Sequence, residues 1–196
     1  MRRLRRSELP ESTVELARFL IGTILVHDAN DGRTSARIVE TEAYVPGDAS
    51  SHAYRGMTAR NRTMFLRRGH AYVYFIYGTS YCLNVTSERA GTGAAVLVRA
   101  GEPLEGGVIM QRRRACERPR DLARGPGRLA AALGIDIRCD GLDLCAAGPL
   151  WLARAESPAR DIGESPRIGI TRETTRLLRF YERRNPYVSG PAALRA

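Results

Sequence analysis

Apolar residues recur at helical spacing near the beginning of the chain and predict a helix over residues 12–20. Ser12 is followed three residues later by Glu15, which is the composition of a capping box at a helix N-terminus. Gly22 is the expected end of this helix. The residues expected on its apolar face are Val14, Leu16, Ala17 and Leu20.

Further segments that are short and rich in β-branched and aromatic residues predict strands. They cover residues 21–27, 36–44, 71–77, 81–87 and 94–99. Residues 47–58 have the glycine, serine and aspartate content of an irregular loop, and residues 104–114 and 127–133 predict short helices. The ordered chain is expected to end at Pro186 to Gly190. Together these elements predict a mixed sheet with helices beside it.

The chain length supports one hydrophobic core. At 196 residues, a single domain over residues 1–196 is expected. Although 43% of the residues are hydrophobic, charged residues interrupt the apolar runs before they reach the roughly 18–20 residues of a membrane helix. The basic residues 1–6 are followed by a polar segment where a signal peptide would be apolar. Neither a membrane span nor a secretion signal is expected.

The charge balance is strongly basic and depends on arginine. The formal net charge is +10, and all 31 basic residues are arginine. This excess favours a polyanionic partner, because cationic side chains neutralise phosphates. The absence of lysine removes the usual Schiff-base nucleophile. The arginine run at residues 112–114, continued by Arg118, Arg120 and Arg124, is either a phosphate-binding stripe or, as the favoured interpretation, a solvated surface segment.

The cysteines and histidines show no pattern of a metal site or a disulfide framework. The cysteines contain no Cys-x-x-Cys pair, and the histidines lack ligand spacing. We therefore expect no metal and no disulfide framework. The residues concerned are Cys82, Cys116, Cys139, Cys145, His27, His52 and His70.

Residues 37–44, with the sequence RIVETEAY, combine carboxylates with an aromatic ring. In an extended chain Glu40, Glu42 and Tyr44 share one face, and such a pair of groups can activate water beside a flat substrate. From this segment alone, a solvent-facing strand end is the favoured interpretation. The two carboxylates would also lie roughly 6.5–7 Å apart, a separation typical of inverting sugar hydrolases.

Residues 71–85 predict two aromatic strands joined by a tight turn at residues 77–80. Tyr77 would lie at the tip, where it either packs back on the core or projects to wedge between base pairs. Tyr72 and Tyr74 share one strand face and either flank a flat ligand or pack within the sheet.

The chain resembles the alkyladenine (3-methyladenine) DNA glycosylase family over nearly its whole length. The matching segments, in order, are RIVETEAY (37–44), HAYRGMTARNRTMF (52–65), GHAYVYFIYGTSYCLNV (69–85), AVLVRAGEPLEG (95–106), GPGRLAAALGI (125–135), RIGIT (167–171) and RFYERRNPYVSG (179–190). The resemblance implies a single mixed α/β domain with a curved, largely antiparallel sheet, flanking helices and a protruding β-hairpin.

The resemblance also implies roles for individual residues. Glu42 is expected to be the general base, with Glu40 as structural support, and Arg99 is expected to help hold the attacking water. Tyr77 is expected to fill the space that the flipped nucleotide leaves. The residues expected to contact the flipped base or its water are Tyr44, His52, Tyr74, Asn84 and the main-chain carbonyl of Ile168. Thr58 and Arg60 are candidates for contacts with the DNA backbone.

The implied activity is hydrolysis of the bond between a damaged purine and its deoxyribose, leaving an abasic site. The expected partner is double-stranded DNA with alkylated or deaminated purines, and no cofactor is expected. The protein is expected to be a monomer in the cytoplasm, associated with the nucleoid. Two alternatives remain: a nonenzymatic nucleic-acid-binding protein, and an inverting sugar hydrolase that uses both Glu40 and Glu42. Three departures from the family pattern, Ala59, Thr79-Ser80 and Arg128, leave the preferred damaged base undetermined.

Overall fold

An antiparallel sheet organises the chain in this computed structural model, which describes residues 1–155 and 161–190. The strands are β1 (Arg2–Arg3), β2 (Ile24–Ala29), β3 (Gly32–Tyr44), β4 (Ala71–Ile76), β5 (Ser80–Thr86), β6 (Ala95–Glu105), β7 (Leu150–Arg154), β8 (Ile162–Ser165) and β9 (Arg179–Glu182). The α-helices are α1 (Thr13–Leu20), α2 (Gly107–Arg114), α3 (Pro119–Leu122) and α4 (Pro126–Leu133), and short 3-10 turns cover Arg6–Glu8, Arg62–Phe65 and Ile137–Cys139.

The long strand β3 connects the two parts of the sheet. The strand order is β1-β7-β2-β3-β6-β5-β4, and β9 pairs with both β3 and β8. The first half of β3 pairs with β2, whereas Glu40 to Glu42 pair with β9. On its other side β3 pairs with β6 along most of its length. The sheet therefore curls around the middle of β3, and residues there have neighbours on both sides.

The pairings among the described strands are all antiparallel. This confirms the curved antiparallel sheet, flanking helices and single mixed α/β domain that the family resemblance implied, and it corrects the mixed sheet inferred from the residues alone. The helix predicted over residues 104–114 begins only at Gly107, because β6 continues to Glu105. Strands β7, β8 and β9 were not predicted, since each is only four or five residues long.

Helix α1 occupies its predicted place but is capped differently. Ser12 is the N-cap residue, yet its side chain makes no capping hydrogen bond. The carboxylate of Glu88 instead accepts hydrogen bonds from the Thr13 backbone N–H at 2.9 Å and from the Thr13 hydroxyl at 2.7 Å. An acidic group from a distant loop thus satisfies one of the free N–H groups at the positive end of the helix. The helix ends at Leu20, close to Gly22.

The main core lies between the sheet and the helices. Leu16 and Leu20 of α1 and Leu129 and Leu133 of α4 have no exposed surface. They pack with buried strand residues in one cluster, among them Ile38, Leu83, Val85, Val96 and Val98. Removal of this apolar surface from water is the main free energy that holds the sheet and helices together. Within the described residues no helix is long and apolar enough to cross a membrane.

Substitution of Gly106 by alanine should destabilise the fold strongly. Gly106 links β6 to α2 with φ of +77°, and an added Cβ would press against the Arg33 carbonyl oxygen and lie 2.8 Å from Thr34 Cγ2. We expect Gly106→Ala to lower the free energy of unfolding by about 2–4 kcal/mol, measured by urea denaturation.

The neighbouring Gly107 is a matched control for this prediction. Its φ is not positive, and an added Cβ would have no heavy atom within 4 Å. Gly107→Ala should therefore be neutral or stabilise the protein by up to about 1 kcal/mol. Equal effects of the two substitutions would contradict the steric argument.

Candidate active site

A cleft of about 500 Å³ opens between the β4–β5 hairpin, the middle of the sheet and two loops. This volume is within the range of small-molecule sites and suits a flat bicyclic ring. Among the side chains that line it are Tyr44, His52, Tyr72, Tyr74, Tyr77, Asn84, Arg99 and Ile168, and the start of α4 at residues 124–128 forms the opposite edge. The structure therefore brings together most of the residues that the sequence predicted for the site.

Glu42 lies directly behind this lining and has no exposed surface. Its Oε1 accepts a hydrogen bond from the Ile168 backbone N–H at 2.8 Å and lies 3.2 Å from Arg99 NH1. Its Oε2 accepts a hydrogen bond from the Tyr44 hydroxyl at 3.0 Å. These three neighbours all line the cleft. Glu42 is thus separated from the cleft by one layer of groups, each bonded to it.

Glu40 is equally buried but belongs to a different set of contacts. It accepts hydrogen bonds from Arg99, Arg179 and Ser189, and it does not line the cleft. The solvent-facing strand end favoured from the sequence is wrong, because β9 pairs with this part of β3 and Ser189 donates hydrogen bonds to Glu40.

Irregular pairing between β3 and β6 places Arg99 between the two carboxylates. Glu40 pairs with Ala100 and Thr41 pairs with Val98, so the register shifts at Arg99. A β-bulge redirects a side chain relative to the regular ladder. Here Arg99 reaches Glu40 through Nε at 3.1 Å and Glu42 through NH1 at 3.2 Å.

Aromatic rings form one wall of the cleft. The His52 ring is edge-on to Tyr74 at 4.6 Å between centroids, and its Nδ1 lies 2.9 Å from the Tyr72 hydroxyl. Burial raises the pKa of Tyr72 to about 12 and raises the pKa of Tyr74 as well, so both phenols stay neutral. His52 lies on a loop surface, as expected of a loop histidine, yet its ring faces the cleft.

A buried ion pair fixes Tyr44 and Ile168. Arg167 and Asp48 have no exposed side-chain surface and pair with each other. Arg167 also donates a hydrogen bond to the Ala43 carbonyl at 3.0 Å and stacks at 4.6 Å from the Tyr44 ring centroid. Burial, followed by the Glu42 charge, raises the pKa of Tyr44. No local pattern predicts this pair, because 119 residues separate its members.

Ile168 and Asn84 make contacts that the family resemblance did not imply. The resemblance implied a role for the Ile168 carbonyl, whereas the structure shows its N–H donating to Glu42. Asn84 lines the cleft and donates from Nδ2 to the Tyr72 carbonyl at 3.1 Å, so it is also a hydrogen bonder within the sheet. Cys82 is a further lining residue that the sequence did not indicate, and burial raises the pKa of its thiol.

Tyr77 lies at the tip of the hairpin, with 83% of its surface exposed. The Thr79 N–H donates to the Ile76 carbonyl, and both Tyr77 and Gly78 have positive φ, as a type I′ turn requires. The ring therefore projects into solvent and does not pack on the core.

The two candidates for backbone contacts lie outside the lining of the cleft. Thr58 and Arg60 are exposed on the loop that follows His52. The Thr58 N–H donates to Asn61 Oδ1 at 2.6 Å, which shapes this loop. Burial lowers the pKa of His52, and the positive charge of Arg60 lowers it further.

The arginine run divides into structural and exposed members. Arg113 donates to the Ala132 carbonyl at 3.0 Å, and Arg114 donates to the Leu122 carbonyl at 3.1 Å. Arg118 and Arg120 are exposed. Arg124, the last member of the run, and Arg128 of α4 both line the cleft, a position that the sequence did not predict for either residue. Among residues 1–155 and 161–190, no group of three or more acidic, cysteine or histidine side chains is arranged to hold a metal ion.

A cleft lined by aromatic rings, with a buried carboxylate behind it, suits the binding of a flat ring, and the arginine-rich composition suits a polyanion. DNA glycosylases bind a purine that belongs to such a polyanion. The family model described as methylpurine-DNA glycosylase matches residues 7–186, and the chain belongs to this family. It is therefore a DNA glycosylase, and the nonenzymatic interpretation is set aside.

Curated relatives agree with the family. The chain is 62% identical to a protein of Mesorhizobium japonicum over 96% of this chain and 91% of the relative. It is 51% identical to one of Paraburkholderia phytofirmans, over 97% and 90%, and 47% identical to one of Methanocella arvoryzae, over 92% of each. All three are named "Putative 3-methyladenine DNA glycosylase".

His52 should remain neutral at neutral pH. Removal of its ring from water lowers the pKa of His52, and the charge of Arg60 lowers it further. In an NMR titration we expect His52 to change charge below the reference value of about 6.5. Because a neighbouring cation disfavours the imidazolium, Arg60→Gln should raise the midpoint. A midpoint at or above the reference in the unaltered protein would contradict this assignment of causes.

Proposed function

We propose that this protein binds duplex DNA, flips an alkylated or deaminated purine such as 3-methyladenine into the cleft, and hydrolyses its N-glycosidic bond with Glu42 as general base. The observation that carries the proposal is the position of Glu42, buried behind the cleft and bonded to three of its lining groups. Membership of the methylpurine-DNA glycosylase family and the names of the relatives support the substrate class.

The proposed reaction replaces the purine at C1′ by water. The bond from C1′ to the purine nitrogen breaks with its electron pair moving to the base, and the sugar becomes oxocarbenium-like. Water then forms the new bond to C1′ and gives its proton to Glu42. A ring-alkylated purine is positively charged and leaves as a neutral molecule, so one carboxylate suffices for this substrate. The products are the free base and an abasic site.

Glu42 needs access to the water, and Tyr44 provides the means. The Tyr44 hydroxyl donates to Oε2, whereas Ile168 and Arg99 hold Oε1. For the attacking water to reach Oε2, the Tyr44 hydroxyl must give up this hydrogen bond, while the other oxygen stays fixed. Catalytic hydrogen bonds commonly reach their working geometry only when substrate is bound.

The cleft walls supply the proposed recognition of the base. Tyr44, His52 and Tyr74 present rings against which a flipped purine stacks, and the neutral phenols are favoured by burial. Asn84 lines the cleft, and its amide is already bonded to the Tyr72 carbonyl. A purine with an additional exocyclic amino group would meet this occupied position, which raises the cost of the wrong base.

The surroundings of the cleft suit a DNA duplex. Tyr77 would enter the space that the flipped nucleotide leaves, and the exposed Thr58 and Arg60 would contact the backbone. The net charge of +10 supplies affinity that does not depend on sequence, so binding should weaken with salt. Because one chain contains every group named, we propose that it acts as a monomer on the nucleoid DNA of the cytoplasm.

The sugar-hydrolase alternative has little support in the geometry. A second carboxylate acting as general acid would have to reach the leaving group, but Glu40 accepts hydrogen bonds from four donors and lies outside the cleft lining. The absence of lysine agrees with a glycosylase that leaves the abasic strand uncut, since no lysine amine can form a Schiff base with the sugar.

Glu42→Gln should abolish most purine release. Loss of the base should slow release from methylated duplex DNA by about 10²–10⁴-fold under single-turnover conditions, because glutamine cannot accept the proton. Glu182→Gln is a matched control, since Glu182 pairs with Arg37 between the same strands β3 and β9 away from the cleft. A Glu42→Gln rate within a few fold of the control would rule out this role.

The same assay tests two further features of the reaction. Release by the unaltered protein should survive a chelator and should leave the abasic strands intact. Strand cleavage at the abasic site, or loss of activity with the chelator, would overturn the water-mediated, metal-independent mechanism.

Tyr77→Ala should weaken flipping without affecting stability. The ring is exposed, so the free energy of unfolding should change by less than about 0.5 kcal/mol. Lost stacking should cost about 1–3 kcal/mol in binding to a duplex with a damaged base. Fluorescence of 2-aminopurine beside the lesion reports the flipped state. Tyr77→Phe, which keeps the ring, should behave like the unaltered protein, and an equal loss in both variants would contradict the wedge.

A further inference from the structure

Glu40 is the most heavily bonded carboxylate next to the cleft. Its Oε1 accepts hydrogen bonds from Arg99 Nε at 3.1 Å, Arg179 Nε at 2.6 Å and the Ser189 hydroxyl at 2.9 Å. Its Oε2 accepts one from the Ser189 N–H at 2.7 Å. Glu40 and Arg179 are buried, with 0% and 1% of their side-chain surface exposed. The C-terminal part of the described chain is thus tied to the middle of β3.

Arg179 is itself held on several sides. NH1 donates to the Ser165 hydroxyl at 2.9 Å, and NH2 donates to the Ser189 carbonyl at 2.9 Å. Its guanidinium also lies 5.1 Å from the Tyr181 ring centroid. Since Nε donates to Glu40, each nitrogen of the guanidinium has a partner, and its position is closely defined.

Arg99 connects this hydrogen-bonded network to Glu42. A guanidinium is planar and rigid, so a bond that fixes Nε also fixes the direction of NH1. In Arg99, Nε is held by Glu40 and NH1 lies 3.2 Å from Glu42. A change in Glu40 therefore alters both the placement of Arg99 and the charge that surrounds Glu42.

Stability alone gives a weak reason for such a network. Removal of several charges from water costs free energy that their attraction repays only with good geometry, and well-packed apolar residues often stabilise a fold as well. The network lies one arginine away from the proposed base, where the orientation of a carboxylate matters for the rate.

We propose that Glu40, Arg179 and Ser189 form a positioning unit that holds Arg99 against Glu42 and so sets the orientation and charge environment of the base. This inference rests on the proposed function of Glu42. Glu40 does not touch substrate and is a positioning residue. Because Ser189 donates two hydrogen bonds to Glu40, the C-terminal part of the described chain belongs to this positioning unit.

The charges around Glu42 determine the direction of the expected pH effect. Four residues surround it, namely Arg99 on β6, Tyr44 on β3, Cys82 on β5 and Arg167, which stacks on Tyr44. Conversion of Glu40 to glutamine removes a negative charge from this environment, and loss of a nearby negative charge favours the ionised form of a carboxylate.

The test is the pH profile of purine release from methylated duplex DNA under single-turnover conditions. Glu40→Gln should lower the maximal rate by about 10- to 100-fold, because Arg99 loses its support. Its acid limb should move to lower pH by about one pH unit. DNA binding should change less than about threefold, because Glu40 lies outside the cleft lining.

Arg179→Gln provides the opposite charge change in the same unit. Removal of a positive charge should move the acid limb to higher pH and also lower the rate. Glu182→Gln, which breaks the Arg37 pair on the same two strands, should leave both the rate and the limb unchanged. Thermal melts of each variant identify any loss of folding, which would reduce the active fraction without moving the limb.

The outcomes distinguish this inference from the proposed function. If Glu42→Gln is inactive while folded Glu40→Gln behaves like Glu182→Gln, the positioning unit is refuted and the general base stands. If Glu42→Gln retains activity, the proposed function itself fails. The inference would also be overturned if Glu40→Gln and Arg179→Gln both lowered the rate while the acid limbs of their pH profiles stayed in place or moved in the same direction.

Discussion

The placement of Arg99 between two buried carboxylates is the interaction on which the rest of the site depends. Neither Glu40 nor Glu42 has exposed surface, and isolated carboxylates buried in this way would be costly. One guanidinium contacts both, and its geometry links them rigidly. The surrounding fold can be understood as the set of contacts that keeps this arrangement in place and leaves one side of it facing the cleft.

The curled sheet makes this arrangement possible. Strand β3 exchanges one neighbour, β2, for another, β9, near its middle, while β6 remains on its other side. Glu40 and Glu42 therefore lie between β6, from the middle of the chain, and β9, from its C-terminal part. The irregular register at Arg99 turns its side chain toward them.

Two separate sets of contacts support Glu42. Glu40 holds Arg99. Arg167, which precedes Ile168 in the chain, pairs with Asp48 and stacks on Tyr44. One oxygen of the proposed base is thus held by Ile168 and Arg99, while the other accepts a hydrogen bond from the Tyr44 hydroxyl. This asymmetry agrees with a group that must stay oriented and still receive a proton from water.

The sequence by itself determined the local features. Periodicity placed α1, alternation and turn composition placed the hairpin with Tyr77 at its tip, and the order of motifs identified the family and the carboxylates of residues 37–44. These follow from neighbours along the chain. Only the tertiary structure decided that Glu40 and Glu42 are buried, that Arg179 and Ser189 hold Glu40, and that Asp48 pairs with Arg167. Those contacts join residues 119–149 positions apart, and no local pattern specifies which distant polar groups will meet when apolar surfaces pack.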